Sequence, residues 1–579
     1  MINSFYLDRS LDNYQILRIN INGKWNYIGS LYNMKKEIDT VQNTIKNISV
    51  NKSIIVFGGA NGVWVNDIDK ITESKEIIIV EPNGELFDNL INNKFNIKNN
   101  IVRVVCMEDE NFYQNLLSAV SKNSFEVLVF ANYDILFNNQ FKEFIDKVIF
   151  MYNDKKLSEN TQKYFAKDWF INFINNLVYI NNFERVDSYK DMFKDKPAII
   201  VSAGPSLEKN LKYLKGNEDK FVIITGARTL NTLNKEGIKA DFACIIDSSE
   251  EMFNVFKHSM ESQVPLLISD EGNTKIIRNY KGKKILFNSK DFINASRYLL
   301  DFKMDLLFQG GSVAHTCTSF AKLLGCDPII FIGQDLAYTN NKLHADNAVV
   351  EEENNNVNNT GIYVKGVVED KVLTNHDLNM FRERLETMIR IYKDITFINC
   401  TEGGAHIEGT EVRTLREVIE EFNYSIDKKA INRISTININ VENLLKKLKD
   451  IYNEIDNLIR LSNESVKINS QLKYLYVDGK NKYNKALKKL DEIDVYIKEK
   501  KEVMYIFETL VECINIELSQ IFMDKDILKC ESQIEKIEIV SDKGKFLHSK
   551  FIEMFEFSKP ILKETIEKLE ELLWLMRQK

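Results

Sequence analysis

Along the middle of the chain, short apolar, β-branched runs recur at 198–202, 221–225, 242–246, 264–268, 284–287, 328–332 and 395–398, separated by polar or amphipathic stretches of helical length. Apolar runs without polar alternation are what strands buried on both faces require, so this rhythm predicts a mainly parallel sheet covered by helices. A related rhythm opens the chain: KSIIVFGGANG at 52–62, EIIIVEPNGELFDNL at 76–90 and FEVLVFANYDILF at 125–137. A β-branched run ending in glycines, then a second ending in an acid, predicts a Rossmann-like βαβ unit. Residues 140–185 read as helical. Near the C-terminus the period changes. VENLLKKLKDIYNEIDNLIRL at 441–461 places Val441, Leu444, Leu445, Leu448, Ile451, Tyr452, Ile455, Leu458 and Ile459 on one helix face, and similar stripes recur at 483–497, 503–522 and 561–575. The stripes are read as core, with docking of a protein partner as the alternative. The expected fold class is therefore α/β in three parts: a Rossmann-like N-terminal domain over 1–190, a central doubly wound parallel-sheet domain over 191–425, and an all-helical C-terminal region over 426–579.

Composition narrows the function classes. A chain of 579 residues is too long for one core. With 44% hydrophobic and 28% charged residues it belongs with folded globular chains. A net charge of -7 argues against nucleic acid as the main partner. No segment approaches the roughly 18 uninterrupted apolar residues of a membrane helix. The opening MINSFYLDRSLDNYQILRIN lacks a basic segment followed by an apolar one, so no signal peptide is expected. The seven cysteines (106, 244, 317, 326, 400, 513 and 530) have no CxxC spacing and read as small buried hydrophobes of a reducing compartment, which makes the expected location cytoplasmic.

In an open parallel sheet, ligands bind beyond the carboxyl ends of the strands. The central runs end in Ala203-Gly204-Pro205-Ser206, Gly226-Ala227-Arg228, Asp247-Ser248-Ser249, Ser269-Asp270-Glu271, Gly333-Gln334-Asp335 and Asn399-Cys400-Thr401-Glu402-Gly403-Gly404. Gly204 would let backbone approach a ligand, Pro205 suits a first helical turn, and the N–H groups that follow would favour a phosphate. A second turn, Gln309-Gly310-Gly311-Ser312, precedes the small-residue helix VAHTCTSFAKLLG, whose His315 could be core, cap or ligand contact. Ser248 with Glu251 fits a capping box, while Asp247 beside it has no evident structural use. Histidine suits proton transfer near neutral pH; His344 follows Gly333-Gln334-Asp335, and His376 and His406 come later. The polar, Asn-rich segment 337–376 is long enough to be a lid. Glu81 lies about 20 residues after Gly58–Gly62, where a ribose would be held, but the GxGxxG spacing is missing and a plain tight turn is the preferred reading. The pairs Asp67/Asp69 and Asp524/Asp526 read as solvated acids rather than a metal site.

The stretches AIIVSAGPSLEKN, DFACIIDSSEE, FQGGSVAHTCTSFAKLLGCDPIIFIGQDLAYTNNKLHADN and FINCTEGGAHIEG, taken together and in order, resemble the Maf (motility accessory factor) flagellin glycosyltransferases over about 195–410. The resemblance implies cytoplasmic transfer of a nonulosonic acid (pseudaminic, legionaminic or sialic type) from its CMP-activated donor to Ser/Thr of flagellin, by inverting displacement. The central domain is also similar to bacterial sialyltransferases, with departures. Their asparagine before the glycine is here Ala203, and that of the second loop is Ala227 beside Arg228, so Arg228, Asp247 or Gln334 would substitute. The donor-binding set implied is Ala203, Gly204, Pro205, Ser206, Arg228, Asp247, Gly311, Ser312, Gln334, Asp335, Thr401 and Glu402. N–H groups at 204–206 and 311–313 would stabilise the departing phosphate, and His344 would move the proton. Neither metal nor cofactor is expected beyond the CMP-sugar. Two alternatives stand beside this: a non-catalytic flagellin-binding accessory protein, and a Mg-ATP-dependent enzyme resembling archaeal 6-hydroxymethylpterin diphosphokinases.

Overall fold

A computed structural model describes residues 2–49, 52–66, 68–72, 75–92, 98, 100–109, 112–122, 124–345, 361–522 and 530–578. Contacts divide the chain into two units, Met1–Thr161 with Ile516–Lys543, and Gln162–Asn515 with Gly544–Lys579.

The first unit begins with an antiparallel meander, β1 (Ile2–Arg9), β2 (Gln15–Ile21) and β3 (Lys24–Ile28). A four-stranded parallel sheet follows: β4 (Ser53–Phe57), β5 (Glu76–Glu81), β6 (Ile101–Cys106) and β7 (Phe125–Val129), in the order β6-β5-β4-β7. Ile54 to Phe57 and Ile77 to Val80 are wholly buried, as unbroken apolar runs demand. That order is Rossmann-like and puts the switch point between β4 and β7. The sequence suggested a helix between β4 and β5. The described part of that connection instead holds one 3-10 turn, Ile68–Lys70, and the helix Gly84–Ile91 comes after β5.

The strands of the second unit are β8 (Phe183–Arg185), β9 (Ala198–Val201), β10 (Val222–Gly226), β11 (Phe242–Ile245), β12 (Leu266–Ser269), β13 (Lys284–Phe287), β14 (Ile329–Ile332), an antiparallel hairpin β15 (Ile362–Lys365) and β16 (Lys371–Thr374), then β17 (Phe397–Asn399) and β18 (Glu411–Val412). All but the hairpin join one parallel sheet ordered β18-β17-β14-β9-β10-β11-β12-β13-β8. From β9 the chain builds outward to β13, then returns to the other side of β9 as β14. The crevice between the carboxyl ends of β9 and β14 is therefore the switch point, where such sheets bind ligands. The small-residue helix Val313–Leu323 is buried from Ala314 to Ala321, and a Cβ on Gly226 would press on Val313, so this helix packs close to the sheet.

Long helices complete this unit: Val441–Asp478, Lys480–Glu499 and the greater part of Gln533–Gln578. Of the expected stripe, Val441, Leu444, Leu445, Leu448, Ile451, Ile455 and Leu458 are buried, in one cluster with Ile199 and Ile223 of the sheet. Each such side chain contributes about 1.5–3 kcal/mol by leaving water. The change at 425 is thus a change of element type; by packing, sheet and helices share one core.

The hairpin lies inside 337–376, expected as one irregular lid, and residues 346–360 of that segment lie outside the described residues. Among the described residues no helix is long and apolar enough to cross a membrane.

Candidate functional site

At the switch point the loops after β9 and β14 lock together. The Ser202 N–H donates to the Ile332 carbonyl at 3.0 Å and the Gly204 N–H to that of Gly333 at 2.8 Å. The Asp335 carboxylate accepts from the Ser206 N–H (3.1 Å), the Ser206 hydroxyl (2.6 Å) and the Thr339 hydroxyl (2.6 Å). Burial pushes this carboxyl above its ordinary range, and the Ser206 and Thr339 donors oppose that rise. The anion at the start of the helix Leu207–Leu214 is thus the protein's own carboxylate. This corrects one expectation. The N–H groups of Gly204 and Ser206 are committed to protein acceptors, and Pro205 has none, so 204–206 hold no phosphate directly in this conformation. Gly204 is needed for close approach, but by the protein itself: a Cβ there would overlap Asp335 and the Gly333 carbonyl.

A third loop, after β17, closes on the same place. The Gln334 N–H donates to the Thr401 hydroxyl at 3.2 Å, and the Thr401 N–H to Asn399 Oδ1 at 3.0 Å. Gln334 Oε1 accepts from the Ser202 hydroxyl. Asn210 Nδ2 bridges the Cys400 carbonyl and Glu402 Oε1, each at 3.1 Å. Gly404 has φ of +74°, and a Cβ on it would overlap the Asp335 backbone. Ala203, Gly204, Pro205, Ser206, Gln334, Asp335, Thr401 and Glu402 are therefore gathered around one crevice. Asn399 Nδ2 and Asn210 Oδ1 are buried there without a hydrogen-bond partner among the described residues. Sequence reading named Asn399 only as part of its loop and passed over Asn210, which looks like any polar helix residue.

Of the three candidate histidines, His344 comes to this crevice. The N–H of its neighbour Ala345 donates to the Ala203 carbonyl at 3.0 Å. His376 is exposed at the start of the helix His376–Ile391, and the His406 N–H donates to the Lys365 carbonyl at 2.8 Å, beside the hairpin.

The second glycine turn lies at the N-terminus of Val313–Leu323. Here the Ser312 N–H donates to His315 Nδ1 (3.3 Å), and His315 Nε2 pairs with the Phe381 carbonyl at 2.9 Å. Burial pulls the imidazole down to about 4, so it is neutral with its proton on Nε2. His315 is a cap, and the Ser312 N–H is not free for phosphate. Arg384 arrives from the helix His376–Ile391: its Nη1 donates to the Gly310 carbonyl at 2.8 Å and would lie 2.6 Å from a Cβ on Gly311. This cation beside Gly311-Ser312 was missed, because nothing local marks a residue that reaches a turn 70-odd positions away. Arg228 is the second residue of the helix Ala227–Glu236 after β10, half-buried. Asp247 has a structural use after all: Oδ1 accepts the Ser249 N–H at 2.8 Å, and Ser249 caps Glu250–Phe256 by accepting the Met252 N–H at 3.2 Å. The expected Ser248/Glu251 box is thus replaced by a cap one residue later. Further from the switch point, after β12, burial pushes Asp270 to about 7, and Ser289 N–H and Ser296 hydroxyl hold it at 3.0 Å each.

In the first unit the glycine turn after β4 is filled from within. A Cβ on Gly58 (φ +96°) would overlap the Tyr133 ring, and one on Gly59 the Leu90 side chain. The Ala60 N–H donates to the Tyr133 hydroxyl, which donates to Glu81 Oε2, both at 2.9 Å, and the Gly59 N–H reaches the same oxygen at 3.2 Å. Burial pushes Glu81 up to about 8. The geometry agrees with a tight turn. Asp69, expected to be solvated, instead accepts from Asn100 N (3.1 Å), Asn100 Nδ2 (2.5 Å) and Lys98 N. Asp67, Asp524 and Asp526 lie outside the described residues.

Residues 171–341 match the family described as 6-hydroxymethylpterin diphosphokinase MptE-like. The chain is similar in structure to the MAf glycosyltransferase from Magnetospirillum magneticum AMB-1, with 13% sequence identity and a TM-score of 0.52, over 99% of this chain and 92% of that one. A search of curated proteins returns no match. At this identity the likeness establishes a shared fold along nearly the whole of both chains.

Proposed function

We propose that this protein is a glycosyltransferase that moves a nonulosonic acid of pseudaminic, legionaminic or sialic type from its CMP-activated donor to Ser/Thr of flagellin in the cytoplasm. The observation that carries the reading is the end-to-end fold likeness to a MAf glycosyltransferase, with the motif-bearing loops gathered at the sheet's switch point. In the reaction the acceptor hydroxyl oxygen attacks the anomeric carbon, the bond from that carbon to the CMP phosphate oxygen breaks, and configuration inverts. The hydroxyl proton passes to His344, or through it to the departing phosphate. Since 204–206 are closed by Asp335 and the Ser312 N–H by His315, the phosphate is set beside Gly311, where the Arg384 guanidinium rather than the backbone supplies the positive charge. Arg228, Gln334, Thr401 and Glu402 are left to orient the donor, and Asp335 to hold the loops.

The match over 171–341 favours a second reading, diphosphoryl transfer from Mg-ATP to a pterin. The two separate cleanly. Purified protein, flagellin and a CMP-nonulosonic acid should release CMP in step with sugar added, with EDTA present or absent. AMP formation from Mg-ATP and a hydroxymethylpterin, without CMP release, would establish the second reading in place of the first.

A further inference from the structure

The helices Val441–Asp478 and Lys480–Glu499 form a hairpin turned at Gly479. Packing explains most of it. Leu472 is the last buried residue of the first arm and Ala486 the first of the second, and between them nothing is buried. Yet this unburied end is not merely polar. Tyr474 and Val477, three apart and so neighbours on one face, are each 70% exposed, Tyr476 is 37% exposed, and its ring meets that of Tyr483 edge-on at 5.3 Å across the turn. Around them Lys473, Lys480, Lys482, Lys485, Lys488 and Lys489 stand against Asp478 within the turn and against Glu464, Asp491 and Glu492 at its base, where Lys489 lies 3.8 Å from both Glu464 and Glu492, so the tip keeps an excess of positive charge in a chain whose total is -7. Asp478 pairs with Lys482 at 2.6 Å.

An exposed tyrosine and valine on one helix face, among lysines, is the composition of a protein-binding patch rather than of a solvated helix end. A solvated end needs no large apolar groups, and a tip built only for solubility would not concentrate one sign against the chain's own balance. We infer that this hairpin tip is a docking surface for the polypeptide acceptor, recognising an acidic stretch that carries an apolar side chain to set against Tyr474 and Val477. The inference rests on the acceptor being a protein, as proposed above. A second copy is a poor occupant, because two such tips repel.

The test is direct binding of fluorescently labelled flagellin to the full-length chain, run beside donor hydrolysis without acceptor. Lys480→Glu/Lys485→Glu/Lys488→Glu should raise Kd at least about tenfold, the Lys→Gln triple less, and Tyr474→Ser/Val477→Ser about as much as the Glu triple; donor hydrolysis and the melting temperature should stay at wild-type values. Raising salt from about 0.05 to 0.2 M should weaken wild-type binding and leave the Glu triple unmoved. Equal Kd for wild type and both triples, absence of flagellin binding by the wild type, or tip-dependent binding of tRNA, phosphatidylserine vesicles or a second copy in place of flagellin would overturn it. Tip-dependent flagellin binding without any sugar transfer would uphold the docking surface and remove the transferase reading.

Discussion

Asp335 shows how one buried carboxylate can look like a ligand contact in the sequence and be a keystone in the structure. It is 2% exposed and accepts three donors from two loops. Asp335→Asn turns one accepting oxygen into a donor that faces hydroxyls or an N–H, at about 1–3 kcal/mol for the mismatch. A lower melting temperature and a loss of transfer are expected together; a variant that melts normally yet fails to bind donor would instead make Asp335 a ligand contact. Glu81 gives a pH signature. Its folded pKa of about 8 lies above the ordinary 4.5, so between those values the native state holds a proton the unfolded chain has lost. The stability Glu81 contributes is complete below about pH 4.5 and lost as pH rises through 8. Glu81→Gln, which keeps an accepting oxygen but cannot ionise, should therefore gain on wild type by on the order of a few kcal/mol at pH 9 and little at pH 5, read by urea melts. A constant difference at both pH values would contradict it.

Among elements, what was legible tracks length and apolar continuity. The buried runs of the sequence became β9 to β14 and β17 within a residue or two, because an unbroken β-branched stretch has no stable place outside a covered sheet. The edge strands β8 and β18 and the hairpin β15–β16 were not legible: β8 is three residues, two of them charged, and the others are two to four residues long with alternating or exposed positions that periodicity cannot resolve. The long helix Val441–Asp478 was legible from its stripe. The turn after β9 was recognised for its glycine, but the reason was misread, since a partner 131 positions away is invisible in local sequence. Gly204→Ala separates the readings. A Cβ set against Asp335 and the Gly333 carbonyl should destabilise the second unit by roughly 1–3 kcal/mol even without ligand, measured by thermal melting. An unaltered melt with weakened donor binding would restore the ligand explanation.

On the scale of the whole molecule, two Rossmann-type sheets serve different ends. The first has its switch point occupied by Tyr133 and Glu81; the second keeps around its own the loops, Asn399 Nδ2 and Asn210 Oδ1, without hydrogen-bond partners among the described residues, and the His344 segment, and holds Arg384 at the Gly310-Gly311 turn. Sequence reading located the second crevice because motifs cluster at strand ends, and it named His344 by resemblance. It could not assign Arg384, Asn210 or the closure of 204–206, which depend on contacts between distant segments. The account stands or falls on sugar transfer, and intact-mass analysis of flagellin co-expressed with this protein and a CMP-nonulosonic acid pathway tests that most directly. The account predicts a ladder of single-sugar increments that disappears with His344→Ala. An unmodified flagellin mass with the wild-type protein, donor being present, would contradict it.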